Sequence, residues 1–424
     1  MLYCFAKILT RAGLRFFYRH VYITGMEHIP PRGPLIIIAN HPSSLMDAAL
    51  LGVLLKRRPW YFTRGDVFVN RPVQTILSWL HMIPVHQHEG GRSSLGANDY
   101  SFSAAQAILA RNGIIVFFPE STSHTEHQLW PFRKGVFRLA FQAMTAHGFS
   151  LHLPIVPIGI TYDHPVKGRQ CVQVHAGPPL LVEDYASLYQ SNPPGALLRM
   201  AKDAQERTAK EVLHIENNDR CAVGDQLLVI DRNNHPAPAA GWKINSRKKL
   251  LREQAICRYI NGLDEAGLAA IKQYQAPYTA ALSKYGLDDK TVAGQANRVS
   301  VWKRLLLGAG WPLYAVGLLL NGLPVFIARH IVDKKVYRKD FYTWIFVTCY
   351  SLLYFLWMLL LLAAAGLCGW PYTIALAVVM ILTGLFSYKY IDWRQEARQQ
   401  RKLQRLSAQE INELKVLRSI ISPS

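Results

Sequence analysis

Three stretches in the last third of the chain, 305–328, 344–367 and 371–388, contain no Asp, Glu, Lys or Arg. A helix crosses the hydrocarbon core of a bilayer with roughly 18 or more apolar residues, and each stretch reaches that length. Whatever the rest of the chain folds into must therefore be compatible with a membrane. Only Cys368, Gly369 and Trp370 separate the second stretch from the third, so these two read as a tight transmembrane hairpin. The first is interrupted by Gly308, Gly310, Pro312, Gly317, Gly322 and Pro324, and reads as a re-entrant or interfacial segment. Positive charge flanks the hairpin on both sides. Arg329, Lys334, Lys335, Arg338 and Lys339 lie in the linker 329–342, and Lys389, Arg394, Arg398, Arg401 and Lys402 follow the third stretch. Both flanks are expected on the cytoplasmic face. This gives a membrane region over 301–390 and a basic cytoplasmic tail helix over 391–424.

The charge balance points the same way. Lys and Arg number 48 against 28 Asp and Glu, a formal net charge of +20. Nucleic acid and an anionic membrane surface both explain such a surplus, and the apolar stretches select the membrane. The six cysteines show no paired spacing and read as free thiols. Residues 1–24 are expected to form an amphipathic interfacial helix. Lys7, Arg11, Arg15 and Arg19 recur every fourth position beside Leu2, Phe5, Ile8, Leu9, Phe16 and Phe17. The same basic residues interrupt any continuous apolar run, so no cleavable signal peptide is expected there.

Between these regions the pattern changes. The runs "PLIIIAN", "PWYFTRG", "GIIVFFPE", "LPIVPIGITY" and "CVQVHAG" alternate with helical patterns near 44–56, 72–80, 101–112 and 135–147. Continuous apolar strands separated by helices predict an α/β layer structure with a buried sheet over 25–182. Residues 183–300 are mostly polar and helical, and read as a helical accessory region.

Candidate chemistry sits at strand ends. In "IIIANHPSSLMDAAL" a buried strand turns into an apolar helix, with His41 on the turn and Asp47 inside the helix. Pro42 disfavours helical backbone at His41 and suits a first helical turn, which Ser43 or Ser44 can cap. The carboxyl edge of an α/β sheet is where such folds bind ligands. A carboxylate there can orient an imidazole and stabilise its charged form, leaving the second nitrogen as a base. In "IIVFFPESTSHT" a second strand runs into Glu120, Ser121, Thr122 and Ser123, followed by Arg133 and Lys134 in "PFRKG". In "LPIVPIGITY", Pro157 is expected to interrupt the strand and shape a wall around a ligand.

The blocks "NHPSSLMD", "FPESTSHT" with "FRKG", and "IVPIGITY", in that order, resemble the signature blocks of the glycerol-phosphate and lysophospholipid acyltransferase superfamily. "YFTRGDVFVNRPVQTILSWLHMIPV", with Phe68 and Pro72, fits between the first two. The likeness spans about residues 25–180, and the appended helices resemble a bacterial and fungal subgroup. It implies a membrane-bound O-acyltransferase with an αβ acyltransferase domain facing the cytoplasm at a bacterial inner membrane. His41 would be the general base and Asp47 its orienting carboxylate. Glu120, Ser121, Thr122 and Ser123 would bind the acceptor head, and Pro157 would shape the acyl channel. The implied donor is acyl-CoA or acyl-acyl carrier protein, and the implied acceptor glycerol 3-phosphate, lysophosphatidate or a related lysophospholipid. No metal or other cofactor is required.

Three departures bear on this. The common pattern places four residues between His and Asp, and here there are five. Gln87 stands where an arginine is usual in the second block. In the third, Ser121 replaces a glycine and Ser123 an arginine. Arg64, Arg92, Arg133 and Lys134 then become the phosphate candidates. The cluster His81, His86 and His88 has no role in the family, and His124 and His127 are expected to line the third block's turn. An acyltransferase-like lipid-binding protein without activity is the alternative. A serine hydrolase using Ser121 or Ser123 lacks the GxSxG elbow that would support it.

Overall fold

Leu35–Ala39, five consecutive buried residues of which three are isoleucine, form the strand at the centre of a largely parallel sheet. Such a run packs well only where both faces of a sheet are covered. The computed structural model describes residues 2–85, 93–238, 241–294 and 301–421, with 93–100 given by their backbone. Its strands are β1 (His20–Thr24), β2 (Leu35–Ala39), β3 (Pro59–Arg64), β4 (Met82–Val85), β5 (Ile114–Phe117), β6 (Pro154–Tyr162), β7 (Cys171–Ala176), β8 (Leu180–Leu181) and β9 (Lys243–Ile244). The helices of the sheet region are α1 (Leu2–Phe17), α2 (Leu45–Leu54), α3 (Arg71–Trp79), α4 (Ser93–Ala110), α5 (Gly135–Ala146), α6 (Ala186–Ser191) and α7 (Pro193–Ala209).

The strand order is β4-β3-β5-β2-β6-β7-β1-β9, with β8 also on β6. β6 is antiparallel to β7 and β8, and the remaining pairs are parallel. Ile36, Ile38, Ile115 and Ile155 bury one face of the sheet against Phe137, Phe141 and Met144 of α5. Because β2, β3, β5 and β6 run the same way, the turns that follow them gather at one edge.

The fold differs from these expectations at several points. The N-terminal helix ends at Phe17, and residues 20–24 are a strand of the sheet. Two residues of its basic stripe also bond to the domain. Lys7 Nζ donates to the Leu55 carbonyl (2.8 Å) and Arg11 to that of Val53 (3.4 Å), where the end of α2 lacks partners for its carbonyls. Phe5 and Ile8, 43% and 69% exposed, stay outside together with Arg11 and Arg15. The accessory region does not begin at 183. Ala196, Met200 and Ala204 of α7, one apolar stripe at helical spacing, belong to the sheet's core. Nor does Pro157 interrupt β6, which runs unbroken and fully buried from Pro154 to Tyr162. The Pro157 carbonyl accepts from Gly177 N–H at 2.8 Å. Its own nitrogen faces the same side, where β8 pairs at 154–155 and β7 only from Ile158. The missing donor falls in that gap, and no ladder bond is lost.

The chain divides into two compact units. The first comprises Met1–His214, Gly241–Leu251 and Arg338–Val347, and the second Ile215–Ala240, Arg252–Tyr337 and Thr348–Ser424. Beyond α7 the helices are α8 (Asn218–Asn234), α9 (Lys248–Asn261), α10 (Glu265–Tyr285), α11 (Asp289–Val292), α12 (Val301–Ala309), α13 (Trp311–Lys335), α14 (Lys339–Gly366), α15 (Trp370–Leu403) and α16 (Ala408–Ile421). In the second unit the tail helix is bound to the accessory helices through Asp289. That carboxylate accepts from Arg418 of α16 at 2.8 Å, from Asn233 at 2.8 Å and from Tyr278 at 2.5 Å.

Segment 305–328 is not one element. It breaks at Gly310, and from Trp311 one unbroken helix runs through Pro324 to Lys335. α13, α14 and α15 are each long and apolar enough to cross a membrane. A Cβ at Gly317 would lie 2.2 Å from Ser387 Oγ, so only glycine lets α13 approach α15 this closely. Asn321 ties these helices together. It donates to Thr383 at 3.4 Å and accepts from the Tyr354 hydroxyl at 2.7 Å.

Candidate active site

Asn40 closes β2 and locks the turn that follows. Its side chain donates to the Ile160 carbonyl (2.8 Å) and accepts from Ile160 N–H (2.7 Å) on β6. His41 comes next. Its Nδ1 lies 2.9 Å from Asp47 Oδ2, and its ring stacks on Phe118 at 4.1 Å. Asp47 is fully buried. It also accepts from Ser43 N–H at 2.9 Å and from the Tyr162 hydroxyl at 2.7 Å. With Nδ1–H donated to this carboxylate, Nε2 carries the ring's lone pair, and no described residue bonds to it. The His41 side chain is 18% exposed.

Five residues intervene between His41 and Asp47 without parting them, and Ser44 is the reason. Its φ of 47° and ψ of −135° place it at the second position of a tight turn, closed by Met46 N–H on the Ser43 carbonyl at 3.0 Å. That conformation normally selects glycine. The helix then starts at Leu45, not at Pro42, and Ser44 is its N-cap without a side-chain capping bond. The extra residue is absorbed before the first helical turn.

Glu120 follows β5 and faces the same turn. Its Oε2 accepts from His41 N–H at 2.8 Å and its Oε1 from Trp130 N–H at 3.0 Å. The carboxyl group therefore braces the backbone that carries the base. Burial pushes it up to about 7, against the opposing pull of those two N–H groups. The native state thus holds a proton that the unfolded chain releases above its ordinary 4.5. The stability contributed is full below that value and is lost as pH rises through about 7. The melting temperature of the full chain is expected to fall between about pH 5 and 8, and Glu120→Gln to flatten that fall. The same slope in both proteins would exclude Glu120 as its source.

Residues 20–161 match the family described as acyltransferase. They form a domain of the acyltransferase family. The 1-acyl-sn-glycerol-3-phosphate acyltransferase alpha of Homo sapiens is 29% identical over 139 residues, which is 32% of this chain and 44% of that protein. The 1-acyl-sn-glycerol-3-phosphate acyltransferase of Cocos nucifera is 26% identical over 161 residues, 37% of this chain and 46% of that protein. The chain spans less than half the length of these relatives. The crystal structure of the 1-acyl-sn-glycerophosphate (LPA) acyltransferase PlsC from Thermotoga maritima aligns with a TM-score of 0.35 at 18% identity, covering 48% of this chain and 78% of that one.

The acyltransferase domain distributes the other expected residues unevenly. Ser121 has a left-handed φ of 65°, which explains why a glycine is usual there. Thr122, Arg133 and Lys134 are exposed beside this turn and the head of α5. The Ser123 hydroxyl donates to Asp340. Arg64 ends β3 on the same sheet edge and holds Asp66 at 2.5 Å. Arg92, Gln87, His86 and His88 lie outside the described residues. His81 stacks between Trp60 (4.3 Å) and Tyr3 (4.8 Å). His124 stacks on Trp130, and His127 bonds to the Tyr162 carbonyl. Tyr162 and Asp340 were not foreseen. Tyr162 closes "IVPIGITY" and could have been suspected from its strand-end position, whereas nothing local marks Asp340.

Proposed function

We propose that this protein moves a fatty acyl group from an acyl thioester to a hydroxyl of glycerol 3-phosphate, lysophosphatidate or a related lysophospholipid. The observation that carries this is the His41–Asp47 pair, held on a braced turn with Nε2 unengaged among the described residues. Nε2 takes the proton of the acceptor hydroxyl as its oxygen attacks the thioester carbonyl. Asp47 stabilises the imidazolium that forms. Collapse of the tetrahedral intermediate breaks the C–S bond, and the imidazolium returns the proton to the departing thiolate. No covalent enzyme intermediate is needed. The intact dyad favours this reading over an inactive lipid-binding domain, and the engagement of Ser123 with Asp340 disfavours a serine hydrolase. The full chain in nanodiscs should be given labelled acyl-CoA, acyl-acyl carrier protein and a panel of lyso-lipids. Transfer to none of them would return the domain to lipid binding.

We also propose that the acyltransferase domain sits on the cytoplasmic face of a bacterial inner membrane. The basic linker and tail support this. Residues 241–251 and 338–347 belong to one compact unit and hence to one side. No described helix between them other than α13 is long and apolar enough to cross, so a single crossing by α13 would separate them. This parity favours α13 as a re-entrant or interfacial helix, with α14 and α15 as the hairpin. A cysteine placed at Tyr337 should react with an impermeant thiol reagent from the cytoplasmic side, and the native Cys368 from the other. Labelling of both from one side would refute this topology.

A further inference from the structure

Ser123 leads from the dyad's turn to a segment 217 positions away. Its hydroxyl donates to Asp340, which is only 7% exposed. A carboxylate is costly to bury unless it is paired, and Arg338 pairs it at two points, Nε to Oδ1 at 3.1 Å and Nη2 to Oδ2 at 2.7 Å. The segment is fastened elsewhere too. Thr343 donates to the Pro165 carbonyl, and Phe346 packs on Phe17 with ring centres 5.8 Å apart. All of these residues belong to the acyltransferase unit.

Arg338 itself remains open, its side chain 54% exposed and lying over Phe341 at 4.8 Å. Two of its five N–H donors serve Asp340, and the others remain for an incoming anion. The array adjoins the base through one peptide, since His124, next after Ser123, donates its N–H to the His41 carbonyl at 3.0 Å. The His124 ring lies within electrostatic reach of His41, Asp340 and Arg338. A guanidinium already fixed on a buried carboxylate loses little freedom when it grips a second anion, and its planar fork suits phosphate.

We propose that Arg338 is the phosphate-binding residue of the acceptor site, with Asp340 positioning it and Ser123 linking it to the dyad's turn. The linker that leads into α14 thus supplies a cation where position 123 has only a hydroxyl. The inference rests on the acyl-transfer reading of His41.

The test uses the full chain in nanodiscs, with acyl-CoA as donor and either lysophosphatidate or the phosphate-free monoacylglycerol as acceptor. Arg338→Ala is expected to raise KM for lysophosphatidate about 10–100-fold, the worth of a charge-assisted hydrogen bond to phosphate. KM for acyl-CoA and the rate with monoacylglycerol should not move, and Arg338→Lys should recover part of the loss. An unchanged KM for lysophosphatidate, or an equal loss with both acceptors, overturns the proposal. So does a rise confined to acyl-CoA, which would assign the arginine to the donor's phosphates. Arg338→Lys and Arg338→Gln carry the same comparison if the alanine variant does not fold. If the wild type acylates neither these acceptors nor any other of the panel above, with either donor, the acyl-transfer reading fails by itself. Binding of glycerol 3-phosphate to wild type and Arg338→Ala then decides the role of Arg338 separately.

Discussion

His41→Ala is expected to lower kcat by about 10²–10⁴-fold with little change in either KM, the usual contribution of a positioned general base. The variant should remain folded. What anchors the turn is the main chain of residue 41, whose N–H binds Glu120 and whose carbonyl accepts from His124, and alanine keeps both. The imidazole itself contributes a stack on Phe118 and the bond to Asp47. A thermal melt alongside the turnover assay separates chemistry from folding. Full turnover by a folded His41→Ala protein would remove the general-base assignment.

Asp47 divides into two experiments because of what surrounds it. Asp47→Asn keeps the shape. The amide oxygen can still accept from Ser43 N–H and His41 Nδ1, and the amide NH₂ can donate to the Tyr162 hydroxyl once that hydroxyl rotates. What disappears is the negative charge that stabilises the imidazolium formed during proton transfer. A loss in kcat of about 10–10³-fold follows, with a nearly unchanged melting temperature. Asp47→Ala leaves the Ser43 N–H and the Tyr162 hydroxyl facing a void, at about 1–3 kcal/mol for each buried group without a partner. It should be clearly less stable than Asp47→Asn. Identical melting temperatures for the two variants would mean that the carboxylate is not the buried hub described. Combining Asp47→Asn with His41→Ala should cost no more activity than His41→Ala alone, because the two act as one unit.

The strands and blocks of the acyltransferase domain were legible because their signals are local. An isoleucine run such as Ile36–Ile38 has few stable positions other than the middle of a covered sheet. A histidine directly after it must then stand at a sheet edge. The misread features are those whose meaning depends on a neighbour. Pro157 looked like an interruption because a strand's spare side cannot be seen without knowing which strand pairs there. Lys7 and Arg11 looked like a membrane-facing stripe, but their partners are carbonyls at the end of α2, more than forty positions away. Glu120 was expected to hold substrate. Each of its oxygens accepts a main-chain N–H, a bracing role that leaves no trace in the side-chain pattern.

The sequence by itself determined that the last third holds helices long and apolar enough to cross a membrane, that a layered α/β domain precedes them, and that His41 and Asp47 are the candidate pair. Each follows from hydrophobic periodicity or from residue type at a strand end, and these are properties of short segments. Only the tertiary structure decided whether His41 and Asp47 meet. The answer lies in the Ser44 backbone, which turns through a conformation that residue identity does not prescribe. Only the tertiary structure brought Asp340, with Arg338 paired to it, onto Ser123. Contacts between segments far apart in the chain are fixed by how elements pack, and local pattern carries no record of that packing.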